Sequence, residues 1–186
     1  MQLRETMLGR RTVHAYTPDP LPEGAIDRAL EAAIHAPNHR LTWPWRFTRV
    51  GRETRVSIAE RALALKAAKN GGALPKEVEE RSRAKILNPA ELVVVSLVRC
   101  EDPFVAREDY ASASCAIQNL TLSLWAEGVA TKWSSGGLTT KPETYQDLQI
   151  DPEEQEIIGF LWCGIAAKVP PKPERPSLDS LVRELP

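Results

Sequence analysis

The stretch "LVVVSLV", residues 92–98, decides how the rest of the chain must be read. Its valines run without polar alternation, so a strand built from it needs apolar cover on both faces and belongs at the centre of a sheet. A second stretch of the same character, "IIGFLWCGI" at 157–165, needs the same burial. "WRFTRV" at 45–50 and "VATKW" at 129–133 read as shorter strands. Helices must therefore lie on both sides of a small sheet.

The intervening segments supply those helices. Leu3, Met7 and Leu8 share a helical face over residues 3–10, and Ile26, Leu30, Ala33 and Ile34 recur at helical spacing over 23–35. "ETRVSIAERALALKAAKNGG" is a helix closed by Gly71 and Gly72. Residues 76–85 read as a solvated helix in which Glu77 pairs with Arg81 and Glu79 with Arg83. The longest helix is expected over 105–128, with Tyr110, Ala113, Ile117, Leu120 and Leu124 on one stripe. It is apolar nearly all round, which one small sheet cannot satisfy, so a homodimer packed through this helix is inferred. "KPETYQDL" is a short helix, and residues 166–186 form a proline-rich arm that adds little core.

Composition narrows the function. A chain of 186 residues with 42% hydrophobic content is expected to form one domain spanning 1–186. With 24 basic and 25 acidic residues interspersed, it has no electrostatic footprint for nucleic acid or an anionic membrane. Cys100, Cys115 and Cys163 form no CxxC and each lies in an apolar run, where burial is the default; this suits a reducing cytoplasm. The charged start "MQLRETMLGRR" does not read as a signal peptide, and no apolar run reaches a membrane span. A cytoplasmic protein acting on small molecules or on other chains is expected.

Several stretches carry chemistry. Arg10 and Arg11 followed by Thr12 can grip a phosphate through charge-assisted hydrogen bonds, or can cap the end of the first helix. "HAPNHRLTWPWRF" at 35–47 gathers His35, His39, Trp43 and Trp45 in one loop. Such a loop suits a ligand; alternatively, the tryptophans pin it to the core while the histidines bond locally. Pro37 keeps His35 and His39 off one helical face and no acid or thiol stands near, so no metal site is expected. "KWSSGG" ends a strand in a glycine turn that either meets a ligand or only turns, and Arg175 is an isolated cation on the arm. G-x-S-x-G, the P-loop and G-x-G-x-x-G are all missing.

In collinear order, "GRRTVHAYTPDPLP", "EAAIHAPNHRLTWPWRF", "ASCAIQNLTLSLWAEGVATKWSSGGL" and "IIGFLWCGIAAKVPPKPERPSLDSLV" resemble the nitroreductase family of flavoenzymes, in its short branch. The resemblance implies an α+β fold, a three-layer α/β/α sandwich with a small mixed central sheet, and FMN in a cleft at a homodimer interface. It implies cofactor contacts from Arg10, Arg11 and Thr12 to the phosphate and ribityl chain, and from His35 and His39 of the other protomer. It also implies that Trp133, Ser134 and Ser135 line the ring and that Arg175 holds the phosphate. Trp43 stands where the family commonly has Gln, and the segment 66–88 is short compared with larger members.

The implied activity is passage of hydride from NADH or NADPH through flavin N5 to a nitroaromatic or quinone-like acceptor in a ping-pong cycle. No general acid or base is assigned, with His39 a polar helper at most. Two alternatives stay open: a different reductive reaction on the same fold, and a flavin-binding or sensing protein without turnover.

Overall fold

The computed structural model describes residues 2–185. Helix α1 (Leu3–Gly9) leads into an extended segment, followed by α2 (Ala25–Ile34), strand β1 (Trp45–Arg49), α3 (Arg52–Lys69) and α4 (Lys76–Leu87). Then come β2 (Glu91–Val98), α5 (Pro103–Ala126), β3 (Ala130–Ser134), α6 (Pro142–Leu148) and β4 (Gln155–Gly164). Beyond β4 the arm is extended, with Ile165 and Ala166 partly buried against the N-terminal segment and nearly all the rest exposed, and it makes a single turn at Leu178–Ser180.

The sheet order is β1-β2-β4-β3, and all three pairings are antiparallel. Among the described residues, parallel pairing, which the expected mixed sheet requires, enters only through the isolated Thr12–Thr131 bridge. As its valines demand, β2 is central, with residues 92–97 all buried. Alternate residues of β2 and β4 enter two separate cores. Val93, Val95, Leu161 and Cys163 pack beneath α2 and α5, whereas Leu92, Val94, Phe160 and Trp162 pack against α3, α4 and α6. This is an α+β fold in three layers.

Local chemistry sets the helix limits. α5 starts at Pro103, two residues earlier than its apolar stripe suggests, because the Asp102 carboxylate accepts hydrogen bonds from the amides of Phe104 (2.8 Å) and Val105 (3.4 Å). It ends where Gly128 takes φ 81°, letting the Val129 amide return to the Leu124 carbonyl at 2.9 Å. Along its stripe Ala113, Ile117, Leu120 and Leu124 are buried, while Tyr110 is exposed.

Two expectations are corrected. Arg83 pairs with Glu60 on α3 rather than with Glu79, because α4 packs on α3 and brings that carboxylate across. The pair found within α4 is Lys76–Glu80, at 3.9 Å. Cys163 is buried, but Cys100 and Cys115 are exposed, since one follows β2 beyond the sheet and the other sits on the outward side of α5.

Candidate functional site

The N-terminal segment is sewn to the outer side of the sheet. The Val13 amide donates to Thr131 O at 3.1 Å, and the Tyr16 hydroxyl donates to the carbonyls of Val13 (2.8 Å) and Trp162 (3.2 Å). The start of the arm joins the same segment: Thr17 N reaches Ile165 O at 2.9 Å and Ala167 N reaches Ala15 O at 3.0 Å. These bonds place Thr12 beside the strand that ends in Trp133 and Ser134, and they send the arm back toward α1.

There the arginines divide. Arg11 donates through Nη1 to the carbonyls of Leu8 (2.9 Å), Gly9 (2.9 Å) and Arg10 (2.8 Å), which is the capping role. Arg10 is half-buried, and burial first, then the neighbouring charges of Arg11 and Arg175, press its pKa below the ordinary guanidinium range. Those arm contacts, Thr17 with Ile165 and then Ala15 with Ala167, run antiparallel and carry Arg175 back toward Arg10. Among the described residues no salt bridge neutralises either of them. Cations gathered without an acid favour an anionic ligand.

Strand β3 presents two faces. Paired residues of an antiparallel sheet point the same way, so Trp133, opposite Leu161, lies on the α5 face, and Ser134, opposite Phe160, on the α3 face. Trp133 is 38% exposed and donates its indole N–H to Ile158 O at 3.3 Å. Ser134 Oγ accepts from Trp162 Nε1 at 2.9 Å, whereas Ser135 is exposed. The three residues read together from "KWSSGG" therefore do not share one surface. Lys132 is half-buried on the α3 face, and burial, then Lys85, lowers its pKa.

The histidine loop lies elsewhere. α2 runs antiparallel to α5, as four contacts show in succession. Arg28 Nη2 meets Glu127 Oε2 at 2.5 Å, Asn119 Nδ2 donates to Ala32 O at 3.2 Å, Ser112 Oγ donates to Pro37 O at 2.7 Å, and His39 Nδ1 lies 2.8 Å from Glu108 Oε1. Within the loop Arg40, Leu41 and Trp43 take φ values of 63°, 54° and 46°, in the left-handed region that bulky residues avoid. Two groups hold them there: Asn38 Oδ1 accepts from the Trp43 amide at 2.8 Å, and the buried Asp109 carboxylate accepts from Thr42 Oγ1 at 2.5 Å. Trp45 pins the loop to the core, while Trp43 packs edge-on against it and stays half exposed.

The residues singled out in the sequence thus form two groups. Gly9 lies against Trp125, near the C-terminus of α5, and His39 against Glu108, near its N-terminus. At about 1.5 Å per residue those levels are about 25 Å apart along the helix. Arg10, Arg11, Thr12 and Arg175 make one group beside the start of β3; His35 and His39, both exposed, make the other.

Sequence reasoning missed the residues that hold these groups in place. Glu108 and Asp109 carried a signal as two adjacent acids opening an apolar helix. Gly159 carried another, as a lone glycine inside a buried strand, which marks close approach of a neighbour.

Comparison with known proteins bears on the fold and on the family. The sequence model of the nitroreductase family matches residues 7–165. A protein of Bacillus subtilis (strain 168) with the provisional name NAD(P)H nitroreductase YfhC is 29% identical over 153 residues, 82% of this chain and 79% of that one. The similarly named YdjA of Escherichia coli (strain K12) is 28% identical over 167 residues, 88% of each chain. Among solved structures, a nitroreductase-like family protein from Bacillus cereus superposes with a TM-score of 0.83 at 24% identity, covering 100% of this chain and 96% of the other. A nitroreductase with bound FMN from Bacteroides fragilis gives a TM-score of 0.73 at 23% identity, with full coverage of both.

Proposed function

We propose, from the premise that the chain belongs to the nitroreductase family, that it is an FMN-dependent NAD(P)H oxidoreductase whose flavin is shared between two copies of the chain. The observation that carries this reading is the arm folding back antiparallel along the N-terminal segment, which carries Arg175 toward Arg10 without a salt-bridging carboxylate, beside Thr12 at the start of β3. That donor set fits a flavin mononucleotide. Guanidinium forks suit a phosphate, a threonine hydroxyl suits a ribityl chain, and the half-exposed indole of Trp133 offers a flat wall.

Bound FMN would supply the two-electron redox chemistry that couples oxidation of NADH or NADPH to reduction of a nitroaromatic or quinone-like acceptor in ping-pong order. The chain's own residues bind and orient. Arg10 and Arg175 hold the phosphate, Arg11 contributes charge while fixing the end of α1, and Thr12 holds the sugar chain. Ser135 and Trp133 border the ring. His35 and His39 lie too far along α5 to reach the same ligand in one protomer, so they act on the flavin of the other copy. Apolar side chains left open on α1 and α5, among them Leu3, Met7, Phe104 and Tyr110, suit that assembly.

The visible spectrum of the purified protein, with the released chromophore identified by mass, tests the reading. FMN at about one per chain followed by NAD(P)H oxidation with a nitro or quinone acceptor supports it. A protein that stays colourless after FMN addition overturns it. The variant Arg10→Glu, which puts a carboxylate among the cations, is expected to lose bound FMN while melting as the FMN-free parent does.

A further inference from the structure

Within little more than one turn, α5 grips the histidine loop through three side chains. Ser112 Oγ donates to Pro37 O at 2.7 Å, the Asp109 carboxylate accepts from Thr42 Oγ1, and Glu108 Oε1 lies 2.8 Å from His39 Nδ1. The rest of the imidazole is open, since the His39 side chain is 65% exposed and Nε2 has no hydrogen-bond partner among the described residues. Glu108 is more enclosed: its Oε2 is shut off from solvent without a hydrogen bond, 3.7 Å from Arg40 Nε. A carboxylate oxygen left in that state costs stability. Arg40, Leu41 and Trp43, which follow His39, hold positive φ besides. Costs of both kinds persist where they fix a functional group.

A neutral imidazole carries one hydrogen, on either nitrogen, and an ionised carboxylate can only accept. Contact with Glu108 therefore puts the hydrogen on Nδ1 and leaves Nε2 a bare acceptor. We propose that Glu108 is a positioning residue that holds neutral His39 in this tautomer, so that the loop offers the ligand of the second copy an acceptor at Nε2. The identity of that ligand rests on the flavin reading. The group met is then an N–H or O–H donor of the flavin and not its phosphate, whose oxygens are acceptors themselves. A glutamine at position 108 could turn either its carbonyl or its amide toward Nδ1, and would enforce neither tautomer.

The test reads imidazole nitrogen chemical shifts of the FMN-free protein at about pH 8.5, where an imidazole is neutral. His39→Ala identifies the signals among the chain's three histidines. The parent is expected to show His39 with its hydrogen on Nδ1 alone. Glu108→Gln is expected to populate the Nε2–H tautomer with a melting temperature close to the parent's, since an ion pair this near the surface adds little stability. Titration with FMN gives a second readout: Glu108→Gln should weaken binding about three- to tenfold, the worth of one net hydrogen bond. In a His39→Ala background the same change should add nothing. A parent ring protonated on Nε2, a Glu108→Gln protein that keeps the Nδ1–H tautomer, an unchanged FMN affinity, or an equal loss with and without His39 would each overturn the proposal. A protein that takes up no FMN, yet whose His39 changes tautomer on Glu108→Gln, would sink the flavin reading and leave the positioning role standing.

Discussion

Trp133 lies across Gly159 so closely that a β-carbon at position 159 would fall 2.0 Å from the indole Nε1. The absence of a side chain on β4 is what lets the indole lie against the sheet and donate to Ile158 O. Gly159→Ala should displace the ring and destabilise the fold by about 1–3 kcal/mol, the usual range for overpacking. Combining it with Trp133→Ala should cost less than the two single changes added together, because the clash needs both groups. Denaturant midpoints of the four proteins check this, and strict additivity would refute it.

Asp109 fixes the histidine loop through Thr42. Asp109→Ala removes the nearer acceptor of the Thr42 hydroxyl, leaving only Asn38 Oδ1 at 3.3 Å, and loosens a loop with three bulky residues at positive φ. A loss of about 1–3 kcal/mol is expected, with faster amide exchange confined to residues 38–43. Thr42→Val should produce the same exchange pattern, and adding it to Asp109→Ala should change little more.

Arg55 is buried at 5% exposure and gathers backbone carbonyls at the junction of α4 and β2. It donates to Ile86 O and Leu87 O at 3.0 Å, Ala90 O at 3.2 Å, and Pro89 O. Arg55→Lys keeps a charge but cannot fork among these acceptors, so a cost above about 2 kcal/mol is expected in urea unfolding. A lysine variant as stable as the parent would refute this reading.

Alkaline stability should fall in two stages. Burial first, then Glu91, pushes the Cys163 thiol up to about 12 from an ordinary value of 9.0. Burial first, then Cys163, raises the Tyr16 hydroxyl above its usual 10.0. Both groups stay neutral in the folded chain after their unfolded counterparts have ionised, so the unfolded state binds fewer protons and stability declines with pH. The decline should begin near pH 9 with Cys163, at most about 1.4 kcal/mol per pH unit, and steepen above pH 10 as Tyr16 joins. Cys163→Ala should remove the first stage, as read from denaturant midpoints between pH 8 and 11. A thiol reagent at pH 8 should leave Cys163 unlabelled until the chain unfolds.

Much of this was legible in the sequence because it follows from periodicity and side-chain chemistry. The unbroken valines of 92–98 demanded cover on two faces, which they have from α2 and α5 on one side and α3, α4 and α6 on the other. The partners of charged side chains were not legible: Arg83 chose Glu60 over Glu79 because helix packing brought a better-placed carboxylate. Thiol exposure was misread for Cys100 and Cys115 because an apolar neighbourhood in sequence does not say which way a side chain points.

The sequence by itself determined the secondary elements, the layering and the inventory of arginines, histidines and aromatic residues, since short-range spacing and hydrophobic demand settle these. Only the tertiary structure decided which of them meet. It folded the arm that carries Arg175 back along the N-terminal segment toward Arg10, turned Trp133 and Ser134 to opposite faces of one strand, and held the histidine loop about 25 Å along α5 from the arginines. Those relations depend on how α1, α2 and the arm fold back on the sheet and on α5, contacts between residues far apart in the chain that spacing along it does not encode.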